Sequence, residues 1–118
     1  MPPHRQPTIS THVLDNERGQ PAVGVRVTLE RLEGESFVTL ASALTDADGR
    51  VADLLAPSDL QAGVYQIRFD AGSYFRQHGG DPPFLRVVSI TFEIVDTARH
   101  YHVPLLLTRF ACTSYRGS

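Results

Sequence analysis

The chain of 118 residues has the length of a single domain, and its 42% hydrophobic and 20% charged residues are ordinary for a globular protein. No apolar run approaches the roughly 18 residues that a membrane span requires. The formal net charge of -2 argues against a nucleic-acid binder that relies on a broad basic face. We therefore expect neither a nucleic acid nor a membrane as a partner.

The residue types that the sequence lacks exclude several chemistries. Cys112 is the only cysteine, so the chain can form neither an internal disulfide nor a cysteine-based zinc cluster. All 11 basic residues are arginine, which excludes a Schiff-base lysine and the lysine of a phosphate-binding loop.

The first seven residues are polar and rich in proline, and they lack the apolar region of a secretory signal. This composition predicts a disordered lead over residues 1–7, a single domain over residues 8–118 and a cytoplasmic location. A single cysteine agrees with that compartment.

The first half of the chain alternates apolar and polar residues with the period of β-strands. Residues 8–14 form the first predicted strand, and turn residues follow it. The alternation is clearest over residues 23–32, and a returning strand over residues 37–44 completes a predicted hairpin. The apolar face of the strand over 23–32 consists of Val23, Val25, Val27 and Leu29.

The middle of the chain predicts two more strands and one short helix. A turn at residues 45–50 leads to a brief strand over 51–55, and alternation returns over 63–69. Residues 71–78 do not alternate and predict one or two helical turns. A Gly-Gly-Asp-Pro-Pro sequence at residues 79–83 ends them.

The last third of the chain reads as strands again. Residues 86–95 place Val88, Ile90, Phe92 and Ile94 on one side. Residues 100–107 predict the next strand, in which Pro104 indicates an edge strand or a bulge. Residues 108–118 form a final segment that also alternates. Seven or eight short strands with turns between them predict an all-β sandwich.

Two histidines two residues apart, His100 and His102, share one face of a predicted strand. Three interpretations remain open: unrelated strand histidines, a zinc site with His12 as third ligand, or acid–base chemistry at a polar pocket.

The Asp46-Ala47-Asp48-Gly49 sequence resembles the start of a calcium loop. The twelfth position of that loop needs a glutamate but is Pro57, so we interpret the sequence as a plain turn. The next residue, Arg50, is either solvated or a clamp for a carboxylate or oxyanion.

The chain's last four residues are Tyr115, Arg116, Gly117 and Ser118. Terminal residues normally fray and carry polar filler. This set also offers an aromatic hydroxyl, a guanidinium, a flexible glycine and a carboxylate together, so a functional tail is the alternative to an ordinary chain end.

Five motifs in a fixed order resemble the transthyretin-related protein family. They are ISTHVLD at residues 9–15, G-x-P-A-x-G-V at 19–25, T-D-x-D-G-R at 45–50, HYHVPLLL at 100–107 and YRGS at 115–118. The terminal motif resembles the 5-hydroxyisourate hydrolase branch of that family.

The resemblance implies a transthyretin-like sandwich of two four-stranded antiparallel sheets with one short helix. It also implies a homotetramer, built as a dimer of dimers, with sites at subunit interfaces along a central channel. The implied activity is hydrolysis of a ring amide of 5-hydroxyisourate in urate degradation, with no metal and no cofactor. The alternatives are a non-catalytic small-ligand carrier of the transthyretin type and a structural sandwich module.

The same resemblance assigns site residues. The implied catalytic residues are His12, Arg50, His102 and Ser118. Substrate binding is implied for His12, Arg50, Tyr115 and Arg116. The chemistry of these side chains fits amide hydrolysis, in which a histidine activates water and an arginine stabilises the developing oxyanion. Either histidine can be the base at this point.

Overall fold

A computed structural model describes residues 6–117, so most of the predicted lead, and Ser118, lie outside the described residues. The described part contains nine strands and one α-helix, α1 (Ala71–Gln77), with a 3-10 turn at Pro57–Asp59. The strands are β1 (Ile9–Asp15), β2 (Gln20–Pro21), β3 (Arg26–Glu33), β4 (Ser36–Leu44), β5 (Arg50–Val51), β6 (Gly63–Phe69), β7 (Val88–Ile94), β8 (Tyr101–Leu107) and β9 (Cys112–Ser114).

The strands form two sheets, as the predicted sandwich requires. The first sheet has the order β2-β1-β8-β9, with β5 also paired to β1. The second has the order β4-β3-β6-β7. All pairs are antiparallel except β1 with β8. The first sheet has five strands rather than the expected four, because the two residues of β2 fold back onto β1.

The core lies between the sheets and follows the period of two. Ile9 and Val13 of β1 are fully buried, as are Ile67 and Phe69 of β6 on the opposing sheet. Each such side chain contributes roughly 1.5–3 kcal/mol by leaving water. A register slip of one residue would turn these side chains outward, so burial fixes the pairing of the strands.

Several predicted strands are shorter than the sequence pattern suggested, among them the strand predicted over 86–95, which is Val88–Ile94. The predicted strand over 23–32 begins only at Arg26, because Gly24 takes a left-handed φ of 80° and Val23 is left 51% exposed. The strand predicted over 51–55 is reduced to Arg50–Val51. The final segment contains only the three residues of β9.

The helix forms where it was predicted, over Ala71–Gln77. The Asp70 carboxylate accepts the backbone N–H of Ser73 at 3.1 Å and caps the helix N-terminus. Tyr74 is buried, and its hydroxyl donates to the Asp15 carboxylate at 2.7 Å. Burial, followed by this contact, raises the pKa of Tyr74 to about 12.

Pro104 lies in an interior strand, which the prediction of an edge did not anticipate. β8 has β1 on one side, while β9 pairs with it only at Leu105 and beyond. The Pro104 carbonyl accepts the Ser114 hydroxyl at 2.8 Å. The proline is tolerated because the ladder with β9 has not yet begun at its position.

Across residues 6–117, none of the helices has the length and apolar character that crossing a membrane would demand.

Candidate functional site

Strand pairing brings together three of the predicted site residues on the outer face of the first sheet. β1 pairs with β8 so that Ser10 lies opposite His102, and with β5 so that His12 lies opposite Arg50. Side chains alternate across a strand, and the neighbouring Ile9 and Val13 point into the core. The two histidines and the arginine therefore share the face that points away from the second sheet.

The turn before β5 holds Arg50 in place. The Asp46 carboxylate accepts the backbone N–H groups of Asp48 and Arg50, each at 2.9 Å. These two bonds, that from Arg50 first, hold the pKa of Asp46 below its usual range. Gly49 takes a left-handed φ of 77°, and its carbonyl accepts the Val13 N–H at 2.7 Å. The predicted plain turn is therefore a tight connection that ties Arg50 to β1.

His12 is bound to the same turn. Its Nε2 lies 2.8 Å from the backbone carbonyl of Asp48. A carbonyl oxygen only accepts hydrogen bonds, so this contact assigns a proton to Nε2 of His12.

Ser10 was not singled out from the sequence, yet it contacts both histidines of the predicted pair. Its Oγ lies 2.7 Å from Nε2 of His100 and 2.8 Å from Nδ1 of His102. The common face predicted for the two imidazoles is confirmed by this shared partner. The parallel pairing of β1 with β8 creates the contact. No sequence motif near Ser10 predicts its contact with histidines so distant in the chain.

An open pocket of about 360 Å³ lies at this face. Its lining includes Ser10, Arg50, Asp53, His100 and His102. His12 lies next to this pocket, across from Arg50, rather than in its lining. The pocket joins an imidazole to a guanidinium, a pair that can take a proton and stabilise an anion.

The zinc interpretation requires three ligands in reach of one ion. Among residues 6–117 no three His, Cys, Asp or Glu side chains are grouped to hold a metal. His12 is held by the turn at residues 46–50, while Ser10 lies between His100 and His102. A metal-free reaction stays a prediction.

The terminal tail folds back onto the histidine strand. The backbone N–H of Gly117 donates to the His102 carbonyl at 2.8 Å, and the Arg116 guanidinium lies 4.7 Å above the Tyr101 ring. Tyr115 is 58% exposed. The predicted role of Ser118 falls on a residue outside the described part of the chain.

A second pocket of about 270 Å³ borders this tail. It is lined by side chains that include Ile90 and Phe92 of β7, His102, Tyr115 and Arg116. His102 therefore borders both pockets, and the tail lies beside it. The predicted substrate-site residues are divided between the two pockets: Arg50 lines the first, and Tyr115 and Arg116 line the second.

Comparison with known proteins gives consistent matches over nearly the whole chain. The family model described as "HIUase/Transthyretin family" matches residues 9–117. A protein of Deinococcus radiodurans named 5-hydroxyisourate hydrolase is 44% identical over 115 residues, which cover 95% of this chain and 97% of that protein.

Two solved structures show the same fold. That of 5-hydroxyisourate hydrolase from Klebsiella pneumoniae is 40% identical, with a TM-score of 0.81 over 94% of this chain and 99% of that one. That of sea bream transthyretin in complex with thyroxine is 29% identical, with a TM-score of 0.87 over 92% and 93%. The transthyretin-like sandwich expected from the sequence is confirmed. Backbone shape does not separate the two proteins, whereas sequence identity is higher to the hydrolase.

Proposed function

This chain belongs to the HIUase/Transthyretin family, and on that premise we propose that it is a hydrolase that opens a ring amide of 5-hydroxyisourate. The product is 2-oxo-4-hydroxy-4-carboxy-5-ureidoimidazoline, and the reaction is a step of urate degradation. The observation that carries this proposal is the shared outer face of His12, Arg50 and His102, in a chain 44% identical to a named 5-hydroxyisourate hydrolase.

The reaction adds water across a carbon–nitrogen bond. The water oxygen bonds to the ring carbonyl carbon, one water proton passes to a histidine, and the carbonyl oxygen becomes an oxyanion. Arg50 faces that oxyanion and offsets its charge. The carbon–nitrogen bond then breaks, and the leaving nitrogen takes the proton from the histidine. General base catalysis contributes typically ~10²–10⁴-fold to such a step.

The tail supplies substrate contacts in this proposal. Arg116 and Tyr115 border the pocket that His102 also lines, and both can bond to the amide edges of a urate-like ring. Ser118 is proposed, from the family resemblance, to act at the same site. The reaction is proposed to need no metal and no cofactor.

We also propose a homotetramer, a dimer of dimers, with sites at subunit interfaces. The pocket beside the tail supports this, because apolar Ile90 and Phe92 on the edge strand β7 line it together with the exposed Tyr115. Edge strands with apolar side chains are commonly covered by a partner. The predicted domain over residues 8–118 would be the repeating unit. A cytoplasmic location stays a prediction, with which the exposed, unpaired Cys112 agrees.

The alternative is a carrier that binds a small ligand without chemistry, and the likeness to sea bream transthyretin favours it. One assay separates the two. Freshly generated 5-hydroxyisourate decays spontaneously, so its absorbance is followed with and without the protein. We expect a rate above that of buffer in proportion to protein concentration. If 5-hydroxyisourate binds to the protein but decays no faster than in buffer, the protein is a carrier.

A further inference from the structure

Two arginines of this chain lie over aromatic rings at nearly equal distances. The guanidinium carbon of Arg109 is 4.9 Å from the centroid of the Phe75 ring, and that of Arg116 is 4.7 Å from the centroid of the Tyr101 ring. A cation in this position is attracted by the negative charge of the ring face. Because both pairs share this interaction, the surroundings of each guanidinium show what it is used for.

Arg109 is held by acceptors that belong to the fold. Its guanidinium donates to the Glu17 carboxylate and to the backbone carbonyls of Gly79 and Asp81, and its side chain is only 12% exposed. Its Nε, Nη1 and Nη2 atoms all take part in these bonds. The contacts join the turn after β1 to the segment after α1, so Arg109 has a structural role.

Arg116 lies in a different environment. It is exposed, and it lines the second pocket beside the tail. The attraction between a charge and a ring face needs no carbonyl or carboxylate acceptor, so it can hold a guanidinium without occupying its N–H donors. The planar fork of these donors matches the carbonyl-rich edge of a urate-like ring.

Tyr101 is a rigid support for this guanidinium. Its hydroxyl donates to the Asp96 carbonyl at 2.9 Å and accepts the Asp96 N–H at 3.2 Å. Its backbone N–H donates to the Thr8 carbonyl at 2.9 Å, and it pairs with Ile9 across β1 and β8. The residue is only 7% exposed. Bonds from both its backbone and its hydroxyl therefore fix the position of the ring.

We propose that Tyr101 is a positioning residue whose ring directs the Arg116 guanidinium toward a carbonyl edge of the substrate. The proposal deepens the proposed function and rests on it, since Arg116 is among the residues proposed to bind 5-hydroxyisourate. The bond from the Gly117 N–H to the His102 carbonyl fixes the backbone of the tail one residue further on. The ring adds what this backbone bond does not supply, which is the direction of the Arg116 side chain.

The experiment varies the charge of the ring face. Tyr101 is replaced by phenylalanine and by the mono-, di- and trifluoro derivatives of phenylalanine. All four variants lack the hydroxyl, and fluorine withdraws electrons from the ring face, so the series weakens the attraction for a cation step by step. The matched control places the same fluorinated residues at Phe75, the buried ring beneath the structural Arg109.

We expect the KM for 5-hydroxyisourate to rise along the Tyr101 series by about 2- to 5-fold, the scale of a cation–π contact at an exposed site, with kcat little changed. The Phe75 series should leave KM unchanged and lower the urea midpoint of unfolding, because Arg109 contacts only the fold. A merely structural Tyr101 would give the pattern of this control. A KM that stays constant along the folded Tyr101 series would therefore overturn the proposal.

A second measurement needs no substrate. The Cδ protons of Arg116 lie next to the guanidinium, so we expect the ring current of Tyr101 to shift their NMR signal upfield. Tyr101→Leu should remove that shift, and Arg116→Lys identifies the signal. A wild-type signal without the shift would also overturn the proposal. A wild-type chain that shows the shift but does not hydrolyse 5-hydroxyisourate would overturn the proposed function, and would leave the contact between ring and guanidinium established.

Discussion

Gly117 donates its backbone N–H to the carbonyl of His102 at 2.8 Å, and the two residues pass so close that a side chain does not fit between them. A Cβ built on Gly117 would lie 2.5 Å from Cδ2 of the His102 ring. A glycine is therefore required at this position of the terminal motif, because any side chain would clash with His102. It lets the tail run alongside the candidate catalytic imidazole.

Gly117→Ala should therefore reduce activity and leave stability almost unchanged. The methyl group must displace either the tail or the imidazole, and misplacement by about 1 Å can cost up to ~10²-fold in rate. The control is Gly34→Ala, where a Cβ meets nothing within 4 Å but φ is 65°. That change should cost roughly 1–2 kcal/mol of stability and leave the rate unaltered. Kinetics and thermal unfolding of both variants test whether Gly117→Ala loses rate and Gly34→Ala loses stability. Equal rates for Gly117→Ala and wild type would contradict the prediction.

Arg50→Ala should lower kcat by about 10²–10³-fold, the scale of removing one oxyanion donor. His102→Ala should lower it by a comparable ~10²-fold or more, as the loss of a general base does. Arg50→Lys keeps the charge without the planar fork and should recover only part of the rate.

Arg68→Ala is the control for these variants, because Arg68 lies on β6 in the second sheet, away from the site. It should hydrolyse 5-hydroxyisourate at the wild-type rate. Circular dichroism should show all four variants folded. An Arg50→Ala protein as fast as Arg68→Ala would remove the guanidinium from the mechanism.

Deletion of residues 115–118 should abolish hydrolysis and preserve the fold. Over residues 115–117 the structure shows a backbone bond from Gly117 to His102 and the contact of Arg116 with the Tyr101 ring, and such a contact at an exposed site is worth roughly 0.5–1 kcal/mol. Thermal unfolding and light scattering should therefore change little. Arg116→Ala alone should give an intermediate rate. A truncated protein of unchanged mass and wild-type rate would show that the tail is an ordinary chain end.

The proposed assembly predicts that specific activity falls on dilution. If two subunits build each site, dissociation removes sites before it unfolds chains. Light scattering should give four times the chain mass of 13.0 kDa at high concentration. Rate per chain, measured over a dilution series, should fall as that mass falls. A fully active monomer would contradict both the tetramer and the shared site.

The lowered pKa of Asp46 predicts a stability difference that depends on pH. An aspartate with a folded-state pKa below its ordinary value of about 3.9 stabilises the fold above that value. This contribution is lost as the pH falls through the lowered pKa. Asp46→Asn keeps an acceptor oxygen without the charge, so wild type should be the more stable protein at about pH 6.

Urea unfolding of wild type and Asp46→Asn, from about pH 6 down to about pH 3, tests this assignment. The gap between the two midpoints should close toward the acid end. A gap that stays constant over the range would mean that the carboxylate charge does not support the turn.

The alternation of apolar residues predicted the sandwich because burial of one face is a local property of each strand. The strand over 63–69 and the short helix matched within a residue for this reason. The predicted start at Val23 failed because Gly24 turns the chain by its own backbone angle, which side-chain alternation does not record.

The candidate site was predicted only as a set of residue types. The motifs supplied His12, Arg50 and His102, but their common face depends on which strands pair and in what register. Ser10 shows the difference. The parallel pairing of β1 with β8 places His100 and His102 beside Ser10. Such non-local pairing leaves no recognisable pattern in the residues around Ser10.

That parallel pairing also sets the order of events when the protein is made. Ser10 and His102 are separated by 92 positions, so the ribosome releases β1 long before the strand that completes its ladder exists. Until then β1 has only the short β2 and β5 as partners, and much of its edge is open to other chains. Contacts of this range make folding slow. The proposed site is thus among the last parts of the molecule to form, and chains caught before that step are the ones most prone to aggregate.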